Sequence, residues 1–155
     1  MEIENLSRIL RGHPFFAPLA EEHLATIVGC ARNVTFEAGE FILREGGPAD
    51  HFFLLRHGRI ALETFVPGRG AVRIETLEPG EVLGWSWLFP PYQAHFDARA
   101  LTFCRLLSLD GNCLRAKCDQ DHSLGYHLTT RFAGVLLQRL EATRMQLLDV
   151  YGNVG

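Results

Sequence analysis

The chain has 155 residues, enough for one domain with a real core, and 47% of them are hydrophobic, which excludes disorder as its ground state. Its 15 Lys and Arg against 18 Asp and Glu leave a net charge of −3, so no basic stripe draws a nucleic acid to it, and the arginine-rich stretch Arg131 to Arg144 is interrupted by Glu141. No apolar run is long enough to span a bilayer, and the acidic start Met1-Glu2-Ile3-Glu4 lacks the regions of a signal peptide, which places the protein in the cytoplasm.

In chain order, residues 5 to 13 read as a short helix with Leu6, Ile9 and Leu10 on one face, broken at His13-Pro14. A second helix is predicted over about 18 to 31, with Leu19, Leu24, Ile27 and Val28 buried and Glu21 and Glu22 at its N-terminal end. Then the period changes. Short apolar runs (Val34 to Phe36, Phe41 to Leu43, Phe52 to Leu55, Ile60 to Phe65, Val72 to Leu77) alternate with Gly and Pro turns, the signature of an all-β sandwich or barrel. Residues 81 to 93 depart from that pattern, and Phe96 to Leu109 reads as one or two more strands. From Gly111 the helical period returns, with Asn112 as cap of a short helix. A long helix follows from about Ser123 to Tyr151, its apolar face running from Leu124 through Leu128, Phe132, Val135, Leu136 and Leu140 to Leu147 and Leu148. The expectation is one domain over 1–155, mainly β with flanking α: helices within 5–31, a β-roll over 33–110 and C-terminal helices over 112–151.

Several runs then carry a resemblance. Leu6…Pro14-Phe15-Phe16…Leu19…Glu22-His23-Leu24 is similar to the N-terminal helices, and Phe36-Glu37-Ala38-Gly39-Glu40-Phe41-Ile42 to the first hairpin, of the cyclic-nucleotide-binding domains of the catabolite-activator and fumarate-nitrate-regulator superfamily. Glu45 to Gly58 resembles the family's run of turn glycines and buried strand, and Leu77 to Gly84 its lead into the ligand cassette. The resemblance covers roughly Leu6 to Tyr151. It implies a double-stranded β-helix, a jelly-roll or cupin-like β-roll, between N-terminal helices and a long C-terminal helix.

The resemblance also implies a site, and here the chain departs from it. In the family a Phe/Leu-Gly-Glu segment opens a short helix over the phosphate, the Glu accepts from the ribose 2′-hydroxyl, and a downstream Arg pairs with the phosphate. This chain reads Leu83-Gly84-Trp85-Ser86-Trp87-Leu88. Trp85 replaces the Glu, and an indole cannot accept a hydrogen bond from a hydroxyl. Ala94 falls at the Arg position, with His95 where a Ser or Thr is usual. Charged hydrogen bonds are each worth about 1.5–3 kcal/mol, so losing the Arg weakens phosphate binding roughly 10–100-fold or more. A protonated His95 is one compensating cation, and Arg99, on the next strand, another; Thr143 matches the family threonine that reaches the nucleobase. The aromatics Trp85, Trp87, Phe89 and Tyr92 either plug a disused pocket or line a site for a different planar ligand.

Other constellations are weaker. The four cysteines are expected as free thiols in a reducing compartment. Cys113, Cys118, His122 and His127 space like zinc ligands only in part, and a redox role for thiols near Arg115 and Lys117 is a further alternative. No nucleophile elbow, phosphate loop or Rossmann signature is present, so the chain does not read as an enzyme. The family's winged helix-turn-helix finds no room after the long helix, which argues against direct DNA binding. The expectation is a regulatory module taking a cyclic nucleotide, another small anionic ligand or no ligand, and forming a homodimer through Leu136, Leu140, Met145 and Leu148. As an alternative, Trp-Ser-Trp-Leu-Phe-Pro-Pro and His-Phe-Asp-Ala-Arg-Ala look like runs in stand-alone domains that accompany bacterial redox enzymes such as hydrogenases, which implies an oxidoreductase partner.

Overall fold

In the computed structural model, residues 2–152 are described. Four strands form one antiparallel sheet in the order β1 (Ala31–Phe36), β8 (Cys104–Asp110), β3 (His51–His57), β6 (Val82–Leu83). Four more form the other: β2 (Phe41–Leu43), β7 (Asp97–Ala100), β4 (Ile60–Val66), β5 (Gly70–Leu77). β4 and β5 form a hairpin, and the other sheet neighbours come from more distant parts of the chain, with β1 pairing β8 from Ala31↔Leu109 to Phe36↔Cys104. This is the β-roll that the turn spacing indicates.

Two cores result. The first lies inside the roll, where Leu43, Phe53, Leu55, Ile60, Leu62, Leu77, Ala98, Ala100 and Leu106 meet. Strand alternation accounts for it: Ala98 and Ala100 are fully buried and Arg99 between them is turned to the other face. The second lies between the β1-β8-β3-β6 sheet and the helices α1 (Glu2–Gly12), α2 (Glu21–Val28), α3 (Gly111–Gln120) and α4 (His122–Gly152). Phe15, Phe16, Phe52 and Phe132 form its aromatic centre, with Phe52 and Phe132 4.5 Å apart.

Some boundaries differ from the sequence expectation. α2 is shorter than 18–31: Glu21 and Glu22 do occupy its first turn, Gly29 ends it, and Ala31 already belongs to β1. Asp110, not Asn112, caps α3, its carboxylate accepting from the Cys113 N–H at 3.0 Å. α4 begins at His122, with Asp121 Oδ1 accepting from the N–H groups of Ser123 and Leu124. The expected free thiols also need correction. Cys104 and Cys118 are free, but Cys30 and Cys113 are joined in a disulfide across 83 residues of sequence. The β1–β8 ladder and the α3 cap bring these two ends together, and no local spacing announces that.

Candidate functional site: the cassette and its grip on α4

The segment 82–88 holds the candidate cassette. Gly84 stands in the left-handed region at φ +93°, where a Cβ would come within 2.8 Å of the His51 carbonyl oxygen. Only glycine fits there. The chain then turns into a single 3₁₀ turn, Trp85–Leu88. Ser86 and Trp87 are buried, and the Trp85 side chain lies outside the described residues.

Trp87 does not enter the roll. It packs in the outer core, 5.4 Å from the Phe132 ring on α4, and against Gly111, where a Cβ would meet the Trp87 Cβ at 2.9 Å. Arg115 of α3 donates a hydrogen bond to the Trp87 carbonyl, and its guanidinium lies 4.1 Å from the Tyr92 ring centroid. At the other end of the cassette, Arg139 of α4 donates to the Val82 carbonyl at 2.5 Å. Burial pulls the Arg139 guanidinium below its ordinary pKa, while Glu75 and Glu81 oppose that. The cassette is therefore held to α4 at both ends.

Beside Arg139, a cleft of about 360 Å³ opens between α4 and the turn that joins β5 to β6. Glu75, Glu81, Arg131, Gln138 and Arg139 supply its polar walls. Arg131 donates to the carbonyls of Phe15 at 2.8 Å and Pro14 at 3.1 Å, closing one end. Arg131, Val135 and Arg139 recur every fourth residue, so they share a helix face. That spacing was the sequence signal for this site, and the apolar period alone passes over it.

The residues singled out in sequence fall in different places. Leu83 and Ala94 are buried inside the roll with Phe96. His95 is exposed. Arg99 is not an open cation: it grips Glu63 on the neighbouring strand through two hydrogen bonds, Nε to Oε1 at 3.0 Å and Nη2 to Oε2 at 3.1 Å. The Arg99 hydrogen bond holds the Glu63 carboxyl below its usual range. Thr143 is exposed and donates to the Arg139 carbonyl of its own helix at 2.9 Å. The four aromatics do not gather into one described cluster, since Trp87 is in the outer core, Phe89 is exposed and Tyr92 lies under Arg115. Cys113, Cys118, His122 and His127 do not converge either: Cys113 is bonded to Cys30, and the His127 ring lies 5.6 Å from His23. Among the described residues no three metal-ligating side chains come together.

The comparisons bear on the fold. The family model of the cyclic nucleotide-binding domain matches residues 33–121. A putative cyclic nucleotide-binding protein from Geobacter metallireducens GS-15 is 30% identical, with a TM-score of 0.78 over 86% of this chain and 97% of its own. A cyclic nucleotide-binding domain from Methylobacillus flagellatus KT shares the fold at 17% identity, with a TM-score of 0.79 over 94% of this chain and 82% of its own. So does the sensor domain of the transcriptional regulator DNR from Pseudomonas aeruginosa, at 19% identity and a TM-score of 0.72 over 91% and 95%. Comparison with curated proteins gives no match. Among the described residues no helix is long and apolar enough to cross a membrane. A β-roll with its cassette glycine in place, over more than half of the chain, makes this protein a member of the cyclic nucleotide-binding domain family.

Proposed function

We propose that the chain is a non-enzymatic regulatory module whose cyclic-phosphate site is altered, so that it takes a non-standard ligand or no cyclic nucleotide. The observation that carries this reading is the pairing of Ala94 with the locked Arg99. Ala94 brings no cation to the phosphate position, and the Arg99 guanidinium five residues on is committed to Glu63. An anion placed there has no charge-assisted partner from either residue, and such hydrogen bonds are roughly twice as strong as neutral ones.

The regulatory half of the reading rests on the latch between cassette and helix. Any ligand that moves 82–88 must move the Trp87–Phe132 contact or the Arg139 hydrogen bond, and so bias α4. The output surface would be the far half of α4, where Leu140, Met145 and Leu148 are exposed and Leu136 half-buried. The exposed, apolar-rich part of α4 beyond Arg139 suits a two-fold seam with a second copy. The same surface would serve a partner protein, an oxidoreductase included. A cytoplasmic setting belongs to the same reading.

The test is calorimetric titration with cyclic AMP and cyclic GMP, paired with thermal shift. No heat and no shift at millimolar nucleotide is the expected result. Micromolar binding would overturn the altered-site reading and restore a sensor of the standard nucleotides. Light scattering on the eluted protein checks the dimer.

A further inference from the structure

We propose that Cys30–Cys113 is a reversible thiol–disulfide exchange site, and that its state sets how firmly α3 holds the cassette. The inference stands whether or not a nucleotide binds.

The two cysteines are held together by more than their own bond. Ala31, next to Cys30, pairs with Leu109, and the Asp110 N–H donates to the Cys30 carbonyl at 3.0 Å. Asp110 then caps the turn that carries Cys113. Sheet register and helix cap thus place the Cα atoms 5.7 Å apart through contacts other than the S–S bond. Two thiols left side by side in this way can close again.

The bond is also reachable. A cavity of about 300 Å³ opens over it, walled by Gly29, Arg32, His51, Ser108 and Asp110. Cys30 is buried and Cys113 half-buried, so attack falls on Cys113. The free thiols compete poorly, because burial raises the pKa of both Cys104 and Cys118.

The step balances with a dithiol reductant. Its thiolate attacks the Cys113 sulfur, the Cys30–Cys113 bond breaks, and Cys30 leaves as a thiolate that takes a proton. The reductant's second thiolate attacks the mixed disulfide, Cys113 leaves and is protonated, and the reductant departs as a disulfide. Two electrons pass to the protein.

What changes is the anchoring of α3. Gly111 and Arg115 on its first two turns press against and hydrogen-bond Trp87, so a loosened α3 loosens the cassette. The outer core remains, with Leu114 still seated in it.

The experiment equilibrates the native protein in reduced and oxidised dithiothreitol, alkylates the free thiols, and counts them by mass spectrometry. Hydrogen exchange is then followed over 85–92 and 111–116. The expected result is reversible gain of two thiols, mapped to Cys30 and Cys113, with exchange at least tenfold faster in both segments and unchanged in β3 and β4. Cys113→Ser should reproduce the reduced pattern. A bond that opens only on unfolding, or reduction without faster exchange over 85–92, would overturn the proposal, as would failure of the thiols to re-pair.

Discussion

The two halves of α4 have similar apolar content and opposite fates. Leu124, Leu128 and Phe132 are almost completely buried against the sheet and the N-terminal helices. Leu137, Leu140, Met145, Leu147, Leu148, Val150 and Tyr151 are all exposed. The near half packs because Phe15, Phe52 and Trp87 present rings to Phe132 at 5.1, 4.5 and 5.4 Å. The far half has run past the body, and Arg139 is its last anchor. An apolar helix stripe therefore shows that something is to be covered and leaves the cover unnamed.

The contrast can be broken most sharply at Phe132. Phe132→Ala should destabilise the domain by about 3–5 kcal/mol, since it empties the meeting point of three aromatic rings. Urea unfolding measures this, and a loss below about 1 kcal/mol would mean that the near half is not anchored there.

The next largest effect is a pH dependence at His13, beside the near half. Its Nδ1 accepts from the Phe15 N–H at 3.1 Å, so the buried ring is neutral. Burial lowers its pKa from 6.5 to about 4. The unfolded chain therefore binds a proton first: the contribution is complete above about pH 6.5 and is lost as pH falls toward 4. The full span is about 3 kcal/mol. His13→Asn should flatten the slope of stability between pH 6.5 and 4, and an unchanged slope would remove His13 from the account.

Glu63→Gln is a control outside the helix. It removes the charge that faces Arg99, and a loss of about 1–2 kcal/mol at pH 7 is expected. The wild-type Glu63 carboxyl is held low, so its contribution is present above its ordinary pKa of 4.5 and lost as pH falls through the lowered value. Wild type and variant should thus converge in acid, with α4 unaffected at either pH.

The smallest effect on the fold belongs to the far half. Leu140→Glu with Leu148→Glu should change monomer stability by less than about 0.5 kcal/mol. In a homodimer the same pair should abolish association, read by light scattering. A large loss of monomer stability would mean that these leucines pack on their own roll.

The β-roll was legible in the sequence because its punctuation is local: a glycine turn or an apolar strand of five residues declares itself wherever it occurs. The turn at Gly84 was legible too, since a left-handed turn needs a glycine and the sequence places one there. Helix ends were less so, as with Asp110, which takes the cap because its carboxylate reaches the Cys113 N–H where Asn112 is already inside the helix. Partner choice was beyond local reading. Arg99 could have faced a phosphate until β4 set Glu63 within reach, and Trp87 could have filled the roll until the αL turn at Gly84 sent it toward Phe132. Cys30 and Cys113 meet only because β1 and β8, more than sixty residues apart, lie side by side. The amino-acid order by itself determined where most of the strands and the turns between them fall, since both depend on neighbours in the chain, and it passed over β6 (Val82–Leu83), which lies where the strand pattern breaks off. The tertiary structure alone decided which arginine is spoken for, which cysteines are joined and which half of α4 is covered, since each depends on groups that only folding brings within a few ångströms.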